Sequence, residues 1–156
     1  MSVKPIPEAL PILTPHLVVR DAPAAIDHYK AALGARETFR TVAPDGRVLM
    51  CELMIGDARV FVIDEVPEQH ALSPTTLGGT PVALHLFVAR VDEVFARAVA
   101  GGMTVEIPVT DFFWGERYGQ VRDPYGHVWG FASRIEDLSP REIQDRANAF
   151  YHRDRA

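Results

Sequence analysis

The sequence predicts an α+β fold of two βαβββ modules, with curved mixed sheets enclosing a cleft, followed by a C-terminal helix. Three observations predict it. The order strand, helix, three strands runs through residues 12–64 and again through residues 82–134. The same four-residue pattern opens each copy, as His16-Leu17-Val18-Val19 and His85-Leu86-Phe87-Val88. Residues 65–81 between the copies are rich in Pro, Gly and hydroxyl side chains and read as a linker. Internal duplication is the most informative of these signals because it fixes architecture. The 156 residues suit a single domain holding both modules.

In the first module, residues 13–19 are β-rich and read as a strand. Asp21 can cap a helix over residues 22–33, in which Ile26, Tyr29 and Leu33 form one apolar face, and Gly34 ends it. Residues 37–42 and 47–55 read as strands around the turn Pro44-Asp45-Gly46. Gly56-Asp57 is a tight hairpin turn before a fourth strand, residues 58–64.

The second module repeats this order. Residues 82–88 form a strand, and residues 91–100 a helix stopped by Gly101-Gly102. Strands follow at residues 104–107 and 119–122. The turn Asp123-Pro124-Tyr125-Gly126 leads to the last strand, residues 127–133. Residues 112–118 are expected to be a loop, a pocket wall or a lid, and Trp129 is expected to pack in the core. Beyond this, Leu138-Ser139-Pro140-Arg141-Glu142-Ile143 is a nearly complete helix start for residues 139–154, with Ser139 as cap and Glu142 bonding back to it. Ile143, Ala147, Phe150 and Tyr151 make one stripe, expected to pack over the sheet or over a second subunit.

Composition removes several function classes. The formal charge is −5 and no Lys/Arg block stands out, which argues against nucleic acid and anionic membrane as partners. Cys51 is the one cysteine, so no intrachain disulfide can form, which suits a reducing cytoplasm. The first residues lack the apolar stretch of a signal peptide, and no apolar run approaches the roughly 20 residues that span a bilayer. Neither a Gly-rich phosphate loop nor a CxxC pair is present.

Several stretches together resemble the vicinal-oxygen-chelate superfamily, which includes glyoxalase I, extradiol dioxygenases and bleomycin-resistance proteins, and within it the PhnB-like branch. They are Thr14-Pro-His-Leu-Val-Val-Arg-Asp-Ala22, Ala25-Ile-Asp-His-Tyr29, Leu33-Gly-Ala35 and Asp45-Gly-Arg-Val48. In the second half they are Leu77-Gly-Gly-Thr-Pro81, Phe112-Phe-Trp-Gly-Glu-Arg-Tyr-Gly119 and Arg122-Asp-Pro-Tyr-Gly-His-Val-Trp129. The resemblance implies paired βαβββ modules around a cleft and a homodimer.

Metal-using members of that superfamily hold a divalent ion with His, Gln or Glu at four module-equivalent places. The resemblance maps these places onto Thr14, Ala83 and Gly130, with the fourth near Val60 or Val62. None of these is a competent ligand, so no cofactor is expected. His16 and His85 lie two residues further along their strands and therefore on the same faces. A nonstandard divalent-metal site of His16, His85 and Glu52 is the alternative, since neutral imidazole is a good transition-metal ligand. His28, His70, His127 and His152 read as solvated or structural.

The candidate ligand-binding residues are His16, His85, Cys51, Trp114, Arg117 and Tyr118. Trp114 and Tyr118 offer flat apolar surface with a polar tip, and Arg117 can grip a carboxylate or phosphate through two parallel bonds. Its other reading is a structural pair with Glu116 or Asp123. Cys51, mid-strand, is read as cleft-lining or as an inert buried thiol. The function expected is binding of a small molecule, possessing aromatic or antibiotic-like character, in the sequestering manner of the bleomycin-resistance type. The alternative is a glyoxalase-like lyase or isomerase using the His16/His85 site.

Overall fold

The computed structural model describes residue 5 and residues 11–153. The chain divides into two compact units, Met1–Gly78 and Gly79–Ala156. Each carries a four-stranded mixed sheet with one helix packed on it. Among the described residues, no helix is long and apolar enough to cross a membrane.

The first unit runs β1 (His16–Val19), α1 (Ala22–Leu33), β2 (Arg36–Val42), β3 (Val48–Ile55) and β4 (Ala58–Asp64). Its strand order is β1-β4-β3-β2, with β1 parallel to β4 and the other pairs antiparallel. β1 is shorter than residues 13–19 because Pro15 has no N–H to give; only its carbonyl joins the ladder, accepting from Phe61 N at 2.9 Å. α1 matches its predicted span, and Gly34 closes it with φ 66°, a conformation that costs glycine nothing. Its Ile26 and Tyr29 are fully buried, each contributing roughly 1.5–3 kcal/mol through removal from water.

The linker is not irregular throughout. It holds a 3₁₀ turn at Pro67–Gln69 and a short helix α2 (Pro74–Leu77) capped by Ser73. Proline at the first turn of each starts these pieces rather than preventing them.

The second unit runs β5 (Ala83–Phe87), α3 (Val91–Ala100), β6 (Thr104–Phe112), β7 (Glu116–Arg122), β8 (Val128–Arg134) and α4 (Pro140–Arg153). Its order, β5-β8-β7-β6, repeats that of the first unit. The registers repeat as well: His16 lies opposite Phe61, and His85 opposite Gly130. One joint is built from different chemistry in the two copies. The Asp64 carboxylate accepts from Ala22 N and Val48 N, both at 2.7 Å, tying the start of α1 to β3. In the second unit Ser133 takes that place, accepting from Val91 N at 3.1 Å and donating to Val88 O at 2.7 Å.

Two expectations change here. The aromatic stretch at residues 112–118 is not a free loop. It closes a hairpin whose arms are β6 and β7 and whose turn is residues 113–115. The strand expected at residues 104–107 runs on through Pro108 to Phe112, because β6 is an edge strand, where a missing N–H costs no ladder bond. Nor does α4 lie over the sheet. It starts with the predicted reciprocal cap, Glu142 N to Ser139 Oγ at 3.3 Å and Ser139 N to the Glu142 carboxylate at 2.8 Å. It then docks on the β6–β7 turn and on the connector after β8. Residue 154 of the predicted helix is outside the described residues.

Candidate functional site

Each sheet has one face under its helix and one face away from it, and strand parity decides which side chains reach which. In the second unit, a Cβ added at Gly119 would lie 2.7 Å from Phe95 of α3, so Gly119 marks the helix side. Its neighbours Tyr118 and Gln120 therefore point the other way. So does Gly130, where an added Cβ would meet the Tyr118 ring at 2.7 Å and its hydroxyl at 2.5 Å. The space beside Gly130 is filled by Tyr118.

An aromatic stack grows from that point. His85 lies nearly parallel to Tyr118, with centroids 5.4 Å apart and planes 12° off. Phe87 sits 4.9 Å from His85. Phe112 meets Tyr118 edge-on at 5.9 Å and stacks on Trp114 at 4.3 Å. Polar groups hold these rings in place. The Tyr118 hydroxyl donates to Gln120 at 2.8 Å, and Gln120 donates onward to Glu106 at 2.8 Å. Trp114 Nε1 donates to Glu116 at 2.9 Å. Partial burial, with Glu106 nearby, pushes the Tyr118 phenol up from its ordinary pKa, so it stays a neutral donor.

Arg117, proposed from sequence to grip an anion, is on the other face. Odd parity sends it toward α3, where it makes two bonds to Asp92 at 2.8 and 2.9 Å and one to Asp111 at 2.7 Å. Its partners are neither Glu116 nor Asp123. These bonds raise its pKa further, Asp92 contributing most, and hold Asp92 below the usual carboxylate range.

The first unit shows the same parity. Leu17, Val19, Cys51, Leu53, Val60 and Val62 are buried on the α1 side. Cys51 is thus walled off from the open face, and burial pushes its thiol up, away from nucleophilic thiolate. The open face carries His16, Phe61 and Glu52 in one cross-strand row. His16 meets Phe61 edge-on at 4.9 Å. Phe61 stands on the strand between His16 and Glu52, which puts their backbones about 10 Å apart.

Arg59, which sequence reading missed, organises this face. Its side chain is only 10% exposed, and its guanidinium lies 5.2 Å from the Phe61 ring centre. It donates to Thr14 at 2.9 Å and to Glu52 at 3.3 Å, and Thr38 donates to Glu52 at 2.6 Å. A lone arginine in the apolar run of residues 58–63 was the available signal.

Among the described residues no group of three His, Cys, Asp or Glu side chains converges as a metal site. His28 (α1), His70 (after the 3₁₀ turn), His127 (β7–β8 turn) and His152 (α4) sit on four separate elements.

Comparison with known proteins places the chain. The model of the Glyoxalase/Bleomycin resistance protein/Dioxygenase superfamily matches residues 11–131. The chain belongs to this superfamily. An uncharacterized protein of Mycobacterium tuberculosis is 44% identical over 137 residues, covering 86% of this chain and 81% of the relative. Among solved structures, TioX from Micromonospora sp. ML1 is 30% identical with a TM-score of 0.64, covering 79% of this chain and 98% of TioX. An Arabidopsis thaliana gene product is 27% identical with a TM-score of 0.64, covering 80% of this chain and 99% of that one.

The residues at the positions that the resemblance maps onto a metal site offer no donor set for an ion. Ala83 and Gly130 carry no donor atom, and the one hydroxyl, on Thr14, accepts from Arg59. The repeat register makes Phe61, rather than Val60 or Val62, the partner of Gly130, and Phe61 has no donor either. A glutamate restored at residue 130 would first have to displace Tyr118.

Proposed function

We propose that this member of the superfamily binds a flat aromatic small molecule on the open face of its second unit, without the metal centre of its metal-using relatives. The observation that carries the reading is Tyr118 seated over Gly130: the position that would present a metal-ligating carboxylate presents an aromatic ring. That ring continues into His85, Phe112 and Trp114, a surface suited to stacking. Half-exposed rings with a few polar groups beside them are the usual make-up of a small-molecule site. Here those groups are Gln120, Glu116 and Glu106. On this reading the protein sequesters its ligand, as antibiotic-binding members do. The sequence motifs favour the PhnB-like branch, a homodimer and a cytoplasmic location.

Thermal unfolding against a panel of aromatic and polycyclic compounds tests it. A binder held at a hundred times its dissociation constant adds about 2.7 kcal/mol of stability. No stabilisation by any member of a broad panel would count against sequestration. Metal content, measured on the same protein after incubation with Zn, Ni and Mn, is expected to be substoichiometric. Stoichiometric metal that disappears in a His16→Ala/His85→Ala double variant would overturn the metal-free binder reading in favour of the His16/His85 alternative.

A further inference from the structure

The superfamily match ends at residue 131, and α4 lies wholly beyond it. We propose that this added helix is a strap that positions Trp114, with Arg146 and Phe150 as its positioning residues. The inference rests on the reading that the Tyr118–Trp114 stack is the binding surface.

Trp114 is central in the turn at residues 113–115, between the ends of β6 and β7. Within the hairpin Trp114 stacks on Phe112 and bonds Glu116, and the turn that carries it is braced from outside. Three contacts brace it. The Gly115 carbonyl accepts from Ile135 N at 2.9 Å and Glu136 N at 3.1 Å, pinning the turn to the connector that leads into α4. Leu138 closes over Gly115, where an added Cβ would lie 3.0 Å from its side chain. Arg146 then spans the gap from α4: its two terminal nitrogens bond the two Glu136 carboxylate oxygens at 2.8 and 2.6 Å, and one also reaches the Phe113 carbonyl at 3.4 Å. The planar fork of arginine suits this bridging, and lysine cannot reproduce it. One helical turn further on, Phe150 packs on Phe113 with centroids 5.3 Å apart, and Phe113 meets Trp114 edge-on at 5.1 Å.

The strap is attached lightly. Phe150 is 49% exposed, and the Arg146–Glu136 pair lies near the surface at 40% and 42%. No strand or other helix packs closely against α4 among the described residues. Light attachment makes the turn's rigidity adjustable without disturbing the sheet. It also explains why the apolar stripe of α4 is short: Ile143 and Ala147 are half-buried, whereas Phe150 serves the turn.

The test uses full-length protein, with Arg146→Ala, Phe150→Ala and Arg146→Lys as variants and Gln144→Ala as a control on the same helix. Gln144 bonds only along the helix, to Asn148. Acrylamide quenching of tryptophan fluorescence reads Trp114, because Trp129 is fully buried. Far-UV circular dichroism and thermal midpoint confirm that each variant is folded. Quenching is expected to rise at least twofold in Arg146→Ala and Phe150→Ala, to rise less in Arg146→Lys, and to stay unchanged in Gln144→Ala. Proflavine, a planar tricyclic cation, is titrated in parallel, and its affinity is expected to fall severalfold in the same two variants. Unchanged quenching in folded Arg146→Ala and Phe150→Ala would overturn the strap. Absence of proflavine binding to the parent protein, with the quenching pattern intact, would overturn the binding surface while leaving the strap standing.

Discussion

Adding one methyl group at Gly130 places a carbon 2.5 Å from the Tyr118 hydroxyl, inside any tolerable contact. Gly130→Ala is therefore expected to destabilise the fold by about 1–3 kcal/mol, as overpacking does, measured by urea unfolding. In a Tyr118→Ala background the cost should largely disappear, because the two residues share one space. Additive costs would mean that something other than Tyr118 fills that space. Residue type was legible in the sequence where it depended on composition alone: His85, Trp114 and Tyr118 stood out as aromatic groups with polar tips. Side-chain direction was less legible. Cys51 and Arg117 sit one residue from Glu52 and Tyr118, and a single step along a strand reverses the face. Irregular pairing in β2–β3 and β6–β7 breaks the simple alternation that would have settled parity from sequence. Arg59 was missed because an arginine near a hairpin turn reads as solvated, whereas here it bridges Thr14 and Glu52.

Between elements, charge does part of the joining. Glu37 on β2 accepts from Arg40 on its own strand at 2.7 and 2.9 Å and from Lys30 on α1. These bonds, Arg40 first and Lys30 second, lower its pKa from the ordinary 4.5 to about 2. A lowered carboxylate stabilises the folded state above its unfolded pKa and loses that contribution as pH falls through the folded one. Thermal midpoints are thus expected to decline between about pH 4.5 and pH 2, with a shallower decline in Glu37→Gln. A parallel acid limb in the variant would remove Glu37 from the account. Helices were the most legible elements, since α1 and α3 carry clear apolar spacing and glycine stops. The β6–β7 hairpin was the least. Its turn joins two aromatics to a single glycine, Gly115, and β6 runs on past Pro108 where the expected strand stopped at residue 107. The consequence is structural: residues 112–118, read as a loop, wall or lid, are the closed end of two paired strands.

For the molecule as a whole, duplication was the strongest signal, and it holds at the level of register. His16 opposite Phe61 and His85 opposite Gly130 are the same place in two copies that have diverged. In one copy the place holds Phe61 beside Arg59, and in the other it holds Gly130 with Tyr118 over it. In both copies a ring occupies this place, and neither arrangement could be read without knowing which residues lie opposite each other. The fold and the superfamily tolerate many chemistries, so the argument for binding rests on these side chains and not on the architecture. Its most direct test is a fluorescence titration of proflavine into the parent protein and into Tyr118→Ala, with and without EDTA. The account predicts a dissociation constant unaffected by EDTA and weakened about tenfold, near 1.4 kcal/mol, by the substitution. Binding that vanishes with EDTA, or that Tyr118→Ala leaves untouched, would contradict it.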